Sequence, residues 1–328
     1  MAANFWSSSH WKQWIFTKEQ LETCHKRDKE EFKFTDAELK TLTNFFTREI
    51  QAIGKRLGLR QRAIGTAAVC FRRFYAKNNF VEYCPRLIAP TCLYVSTKAE
   101  ECSTQVPASR IASETKKHDS SWPYSMNHLL ECEFYILETL GFCLIVFHPY
   151  KPLLDFIKDC KQEKTVMESA WNMINDTYCT DLALLYPPYI IALACIYLAA
   201  FVNGVDMRSW FIELDVDMKE IWNAACELLD YYESQKQESQ QLIAQLLKRL
   251  PTFPHFNASS NNNNNTSYPP SHGHHHTQVV NPHNMVPARG APSQLTSITS
   301  TIPSSNNNAN SVTGITQTIK ASKVTTLR

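Results

Sequence analysis

At 328 residues, the chain has room for about two domains and a tail. Its charge is uneven: positions 251–328 contain four basic residues and no acidic one, so 29 basic and 31 acidic side chains remain before them. A near-neutral, slightly acidic region of this kind is a poor match to a phosphate-neutralising surface. We therefore expect no direct contact with nucleic acid.

Cysteine usage and hydropathy exclude further classes of protein. The eleven cysteines form no Cys-x-x-Cys pair, which opposes both a disulfide framework and a zinc site. We expect no metal and no cofactor, and we attribute the histidine run at 272–276 to low complexity. The longest apolar stretch, at 189–202, fits a buried helix rather than a membrane span. With no signal peptide and no membrane contact expected, the predicted compartment is the reducing interior of the cell.

Residues 1–35 form an aromatic-rich segment. Trp11, Trp14 and Ile15 follow one another at helical spacing, which predicts a short amphipathic helix. Together with Trp6, these are too many large apolar side chains for a free end. We expect Trp6, Trp11 and Trp14 to pack against the domain that follows or to contact a partner.

Residues 36–145 are predicted to form five helices. The first begins at a capping box, Thr35 followed by Glu38, and Gly58 ends it. The third is apolar nearly all round, so it should lie at the centre of its bundle. The predicted positions of the second to fifth helices are about 60–77, 87–101, 110–112 and 125–140.

Residues 146–250 are also predicted to be helical. The first helix begins near Pro152, and the others lie at about 166–180, 187–203, 207–213 and 217–250. No run alternates with the period of a β-strand, so the predicted fold class is all-α. Residues 251–328, rich in Asn, Ser, Thr, His and Pro, cannot bury enough apolar area to offset their ordering entropy, and we predict that they are disordered.

The two helical regions repeat one another. The run Ile88-Ala-Pro-Thr-Cys92-Leu-Tyr94 has a counterpart 103 positions later in Ile191-Ala-Leu-Ala-Cys195-Ile-Tyr197. This period is too long for a solenoid unit of about 20–50 residues. The chain is therefore predicted to contain two domains of one kind, 36–145 and 146–250, preceded by the segment 1–35 and followed by the tail 251–328.

Several sequence runs, agreeing in order and spacing, resemble the cyclins. They are Asn4-Phe-Trp6, Ile88-Ala-Pro-Thr-Cys92, Ser96-Thr-Lys98-Ala-Glu100, Met126-Asn-His-Leu-Leu-Glu-Cys-Glu133 and Leu185-Tyr-Pro-Pro188. The resemblance covers residues 1–250 and implies tandem five-helix cyclin boxes. It also implies a non-catalytic regulatory subunit that binds and activates a cyclin-dependent protein kinase.

Within the cyclins, these runs resemble most closely the cyclin of the Mediator kinase module. The implied partners are the cyclin-dependent kinase catalytic subunit and other Mediator kinase-module subunits. The implied role is regulation of RNA polymerase II transcription, and the implied location is the nucleus.

The resemblance assigns kinase contacts to particular residues. Lys98, at the end of the third helix, and Glu133, in the fifth, match the charged pair with which cyclins bind the C-helix region of the kinase. The other matching positions are acidic or apolar: Glu100, Glu101, Leu137, Phe142 and Leu144. From the residues alone, the alternatives are a helix-end lysine, a solvated glutamate and ordinary core packing.

A further candidate site lies in the second domain, at Trp171, Asn175, Asp176 and Tyr178. Trp171 and Asn175 are one helical turn apart, so they share a face. One interpretation is a groove between the repeats that docks another Mediator subunit. The alternative is core packing of Trp171 with a capping or loop role for Asp176.

Two other classes of function remain as alternatives. A transcription-factor-IIB-like cyclin fold would bind promoter DNA and polymerase directly, and it predicts a basic face that the charge balance opposes. An enzyme would need a nucleophile and base, a metal site or a phosphate loop, and no such spacing occurs. We therefore assign no catalytic residue.

Overall fold

The structure, a computed structural model, describes residues 4–162, 164–237 and 239–250. No strand occurs in this described part, and the prediction of an all-α chain is confirmed. The predicted disordered tail, 251–328, lies outside the described residues. None of the described helices is both long enough and apolar enough to cross a membrane.

The N-terminal segment contains a 3-10 turn at Phe5–Ser7 and three short α-helices, and the sequence predicted only the first α-helix. The three α-helices are α1 (Ser9–Trp14), α2 (Lys18–Glu22) and α3 (Lys26–Glu30). Side chains explain where two of them begin. The Ser8 hydroxyl accepts a hydrogen bond from the backbone of Trp11, and Thr17 forms a capping box with Gln20.

Five helices form the first repeat, as predicted: α4 (Asp36–Arg56), α5 (Gln61–Tyr75), α6 (Pro85–Ala99), α7 (Ala108–His118) and α8 (Met126–Thr139). The predicted capping box starts α4, because Thr35 Oγ1 accepts from Glu38 N at 3.2 Å and Glu38 Oε2 accepts from Thr35 N at 2.8 Å. The central helix, α6, is buried on nearly every side. The fourth helix is longer than the predicted 110–112, extending from Ala108 to His118.

The second repeat has its own core around a second central helix. Its elements are α9 (Tyr150–Asp159), α10 (Met167–Thr177), α11 (Leu182–Leu185), α12 (Pro188–Val202), α13 (Arg208–Glu213) and α14 (Met218–Gln237). The internal sequence echo lies in the two central helices, α6 and α12. Their matching residues, Cys92 and Cys195, are both buried.

The prediction of one continuous helix over 217–250 was wrong. After α14 a separate helix, α15 (Gln240–Arg249), begins where the Ser239 hydroxyl accepts from Leu242 N at 3.1 Å. Leu246 and Leu250 are buried in the core of the first repeat. The helix is interrupted here because the last apolar side chains pack against α4 and not against the second core.

Arg72 of α5 connects the two repeats in the molecular interior. Its Nε donates to the Tyr178 carbonyl at 2.9 Å, and one Nη donates to Asn44 Oδ1, also at 2.9 Å. The other Nη pairs with Asp181 at 2.5 Å. A buried guanidinium needs such partners, so the second repeat is seated directly on α4 and α5.

Candidate protein-interaction surface

The end of α6 meets the middle of α8 in an ion pair between the two predicted charged residues, Lys98 and Glu133. Lys98 Nζ lies 2.7 Å from Glu133 Oε1 and 2.8 Å from Oε2, and it also sits 4.6 Å from the centre of the Tyr94 ring. The Lys98 side chain is 44% exposed and that of Glu133 15%. Burial acts to lower the pKa of Lys98, but the hydrogen bonds to Glu133 and Tyr94 outweigh burial and raise it.

An exposed apolar stripe runs along α8 beside this ion pair. Met126, Leu130 and Phe134 are spaced four residues apart and therefore share a face; they are 39%, 41% and 60% exposed. Past the helix end, Phe142 and Ile145 are also exposed, at 66% and 65%. We call these five residues and the ion pair the α8 surface. Contiguous exposed apolar side chains typically mark an interaction site.

Sequence reasoning identified only part of the α8 surface. Of the predicted apolar residues, Phe142 is exposed, while Leu137 and Leu144 are partly buried and pack against the first core. Met126, Leu130, Phe134 and Ile145 were missed. The four-residue spacing of Met126, Leu130 and Phe134 was the available signal, but the same spacing is typical of a core-facing helix.

The two predicted acidic residues after Lys98 have different surroundings. Glu100 is engaged on both oxygens: Oε1 accepts from the Thr66 hydroxyl at 2.8 Å, and Oε2 pairs with Arg62 Nε at 2.7 Å. Glu101 is exposed, with a left-handed φ of 56°. Only Glu101 is therefore free to meet a partner without first breaking an internal contact.

The three N-terminal tryptophans do not share one environment. Trp14 is fully buried in the first core, beneath the cations of Arg73 and Lys77. Trp6 and Trp11 lie 4.8 Å apart between ring centres and remain 50% and 38% exposed. They form a half-exposed aromatic cluster with neighbouring rings, Phe5, Phe147 and Tyr189. Because Tyr189 belongs to the second repeat, the N-terminal segment spans both repeats.

The predicted groove residues lie at the junction of the repeats and are joined by internal contacts. Trp171 packs on Tyr150, with 4.6 Å between ring centres, and the Tyr150 hydroxyl donates to Asn175 Oδ1 at 2.8 Å. Asp176 accepts from the Tyr232 hydroxyl at 2.8 Å, and burial raises the pKa of its carboxyl. Tyr178 is buried and faces α5. Trp171, Asn175 and Asp176 stay partly accessible, whereas Tyr178 does not.

Titratable groups that are buried here do not form a metal site. Among the described residues, no three His, Cys, Asp or Glu side chains are arranged to hold a metal ion. The histidine run at 272–276 lies outside that part. Two buried histidines, His10 and His148, have their pKa lowered to about 3, chiefly because burial disfavours the charged ring.

Family models and known proteins match the folded region. Residues 15–145 match the model of the cyclin N-terminal domain, and residues 148–250 match that of the cyclin C-terminal domain. Cyclin-C of Rattus norvegicus is 44% identical over 261 residues, covering 76% of this chain and 91% of the relative. Cyclin-C of Drosophila melanogaster is 39% identical over 265 residues, covering 76% of this chain and 98% of the relative.

Solved structures share the fold at lower sequence identity. A chain of the CAK complex of Chaetomium thermophilum bound to ATP-gamma-S matches with a TM-score of 0.59 and 20% identity, over 75% of this chain and 88% of that one. A chain of the yeast RNA Pol II CTD kinase CTDK-1 complex matches with a TM-score of 0.56 and 16% identity, over 70% and 76%.

Proposed function

The chain belongs to the cyclin C family, and on that premise we propose that it binds and activates a cyclin-dependent protein kinase as a non-catalytic regulatory subunit. The single observation that carries the proposal is the Lys98–Glu133 ion pair beside the exposed apolar stripe of α8. The pair supplies charged hydrogen-bonding groups, and the stripe supplies apolar area that the described residues leave exposed and that a partner can cover. The solved structures with the same fold include chains of kinase complexes.

The mechanism that follows is positional. A protein kinase needs its strand lysine paired with the glutamate of its C-helix before it can hold the ATP phosphates for transfer. A rigid surface that binds only the inward C-helix shifts an existing equilibrium toward that state. The α8 surface is suited to this task, because Lys98 and Glu133 project from two helices that are packed into one core.

We further propose that the kinase is that of the Mediator kinase module, and that the chain regulates RNA polymerase II transcription in the nucleus. Trp171, Asn175 and Asp176 form the proposed contact with another subunit of the module. Tagged chain recovered from nuclear extract should carry both the kinase and Mediator subunits. Recovery of the kinase without any Mediator subunit would contradict this finer assignment.

The activation proposal is tested by a charge placed in the stripe. Phe134→Asp should abolish co-purification with the kinase and the phosphorylation of a polymerase C-terminal-domain peptide, because a carboxylate cannot be buried there without a partner. The matched control is Ile212→Asp, which replaces an isoleucine that is 83% exposed on α13 of the second repeat. Kinase activation by Phe134→Asp at the level of the control would refute the proposal.

A gel-shift assay with the full-length chain tests the DNA-binding alternative. Full-length chain should not retard promoter DNA in a gel-shift assay at about 0.15 M salt, where phosphate contacts are moderately screened. A specific shift in the absence of kinase would favour the transcription-factor-IIB-like class instead.

A further inference from the structure

A chain of hydrogen bonds joins the second repeat to the end of α6. The Tyr178 hydroxyl lies 2.6 Å from His148 Nδ1, and His148 Nε2 lies 2.9 Å from the Thr66 hydroxyl. Thr66 in turn lies 2.8 Å from Glu100 Oε1. Glu100 is the C-cap residue of α6, two positions after Lys98. The four side chains thus link α10, the segment before α9, α5 and α6.

With a neutral imidazole at His148, the donor and acceptor properties of these groups allow one consistent arrangement of protons. The Glu100 carboxylate only accepts, so Thr66 must donate to it. The Thr66 oxygen can then accept from His148 Nε2–H, which leaves His148 Nδ1 to accept from the Tyr178 hydroxyl. This requires a neutral imidazole, and burial, with Arg62 and Arg73 nearby, lowers the pKa of His148 to about 3. All donors therefore point from the second repeat toward α6.

Packing keeps this chain in place. Tyr178 lies directly against α5, where a Cβ atom on Gly65 would come within 2.7 Å of the tyrosine Cζ. Glycine is required for that approach, so the sequence of α5 is adapted to the position of Tyr178. At the other end, Arg62 holds the second oxygen of Glu100 at 2.7 Å. Neither Tyr178 nor Glu100, the two ends of this hydrogen-bond chain, can shift without leaving a buried polar group unpaired.

We propose that Tyr178, His148 and Thr66 are positioning residues for the kinase contact made by Lys98. They act through Glu100, which fixes the end of α6 relative to the second repeat. The inference rests on the proposed function, since Lys98 needs positioning only if it meets a kinase. It also gives Glu100 an internal role in place of the direct kinase contact that the family resemblance implies.

Thr66→Val tests the proposal, because it keeps the side-chain shape and removes the hydroxyl at the centre of the chain. Thr66→Ser keeps the hydroxyl and serves as the rescue. The matched control is Thr91→Val, which deletes an equally buried hydroxyl that lies outside this hydrogen-bond chain and donates to the Leu87 carbonyl of α6 at 2.7 Å. If Thr66→Val fails to fold, Tyr178→Phe removes a different hydroxyl of the same chain and takes its place.

Two readouts are measured on the full chain. Backbone amide exchange at residues 100–102 should be about tenfold faster in Thr66→Val, which corresponds to an opening free energy lower by about 1.4 kcal/mol. Kinase affinity should fall by about three- to tenfold. Thr66→Ser and Thr91→Val should match the wild type in both.

Exchange and affinity of Thr66→Val equal to those of Thr91→Val would overturn the inference. Faster exchange with unchanged kinase affinity would overturn it as well, since the chain would then be structural only. Failure of the wild type to bind the kinase would instead refute the proposed function, and the exchange comparison would still report on the hydrogen-bond chain.

Discussion

Replacing Lys98 and Glu133 separately should give unequal effects in the free subunit and large effects in the complex. Lys98→Ala leaves the Glu133 carboxylate, only 15% exposed, without its cation, and should cost about 1 kcal/mol of unfolding free energy. Glu133→Ala leaves a lysine that is 44% exposed and free to hydrate, so about 0.2–1 kcal/mol is expected. Solvated, unpaired side chains, as the sequence alone indicated, would show neither cost nor asymmetry.

In the kinase complex, each substitution removes part of a desolvated charged contact. The expected loss is about 2–5 kcal/mol, mostly in the dissociation rate, or about 30-fold or more in affinity. The double mutant should lose less than the sum of the two, because both side chains bind one element and each other. The assay is a double-mutant cycle run twice, by denaturant unfolding of the free subunit and by calorimetric titration with the kinase.

One outcome of the double-mutant cycle would refute the proposed kinase contact of Lys98 and Glu133. A destabilised free subunit with normal kinase affinity in both single mutants would show that the ion pair is purely structural. The result should also be independent of pH near neutrality. The pKa of Lys98 is raised above 10.5, so the stability that the lysine charge contributes does not change around neutral pH and is lost only as the pH rises through that raised pKa.

Four further outcomes are expected. A chain truncated after position 250 should unfold at the same denaturant midpoint and bind the kinase normally; lost binding would place the tail in the interface. Deleting the first twenty residues should lower the midpoint, because Trp14 leaves a core in which such a loss costs about 3–5 kcal/mol; unchanged midpoint and affinity would contradict this. Gly65→Ala should destabilise by about 1–3 kcal/mol through its clash with Tyr178, measured by thermal unfolding, and Tyr178→Leu should relieve the effect. The free energy of unfolding should decrease as the pH falls below about 6.5, by up to about 1.4 kcal/mol per pH unit for each of His10 and His148. The reason is that these histidines bind a proton in the unfolded state below that pH, whereas in the folded state they stay neutral until about pH 3. An unfolding free energy that is constant down to about pH 4 would refute this prediction.

Local sequence signals predicted much of the fold. The capping box at Thr35 and the apolar period behind it located α4, and the all-round apolarity of the repeated run located α6 and α12. These signals depend on neighbours a few residues away, so the sequence contains them directly. The start of α15 was missed because helical periodicity continues through it. The break depends on Leu246 reaching the first core, which is a tertiary event.

In the candidate site, too, local sequence signals did not identify the features that depend on tertiary contacts. Lys98 and Glu133 are 35 positions apart, and no spacing rule brings such residues together, so only the resemblance to cyclins connected them. Phe134 was missed because its spacing fits a buried face as well as an exposed one, and its exposure depends on which side of α8 is covered. Tyr178 was assigned to a groove, but its burial depends on Gly65, more than a hundred positions earlier.

Because α15 packs against the first repeat, the first repeat cannot be separated from the C-terminal end of the folded region. Arg249 pairs with Glu38 at 2.8 Å and donates to the carbonyls of Phe32 and Lys33. Along the sequence, the second repeat therefore stands between two segments that both contribute to the core of the first repeat. A nick or cut between α14 and α15 would remove part of the core that carries Lys98, although the lost helix lies at the far end of the folded chain. The two boxes should consequently unfold in a single cooperative transition rather than one after the other.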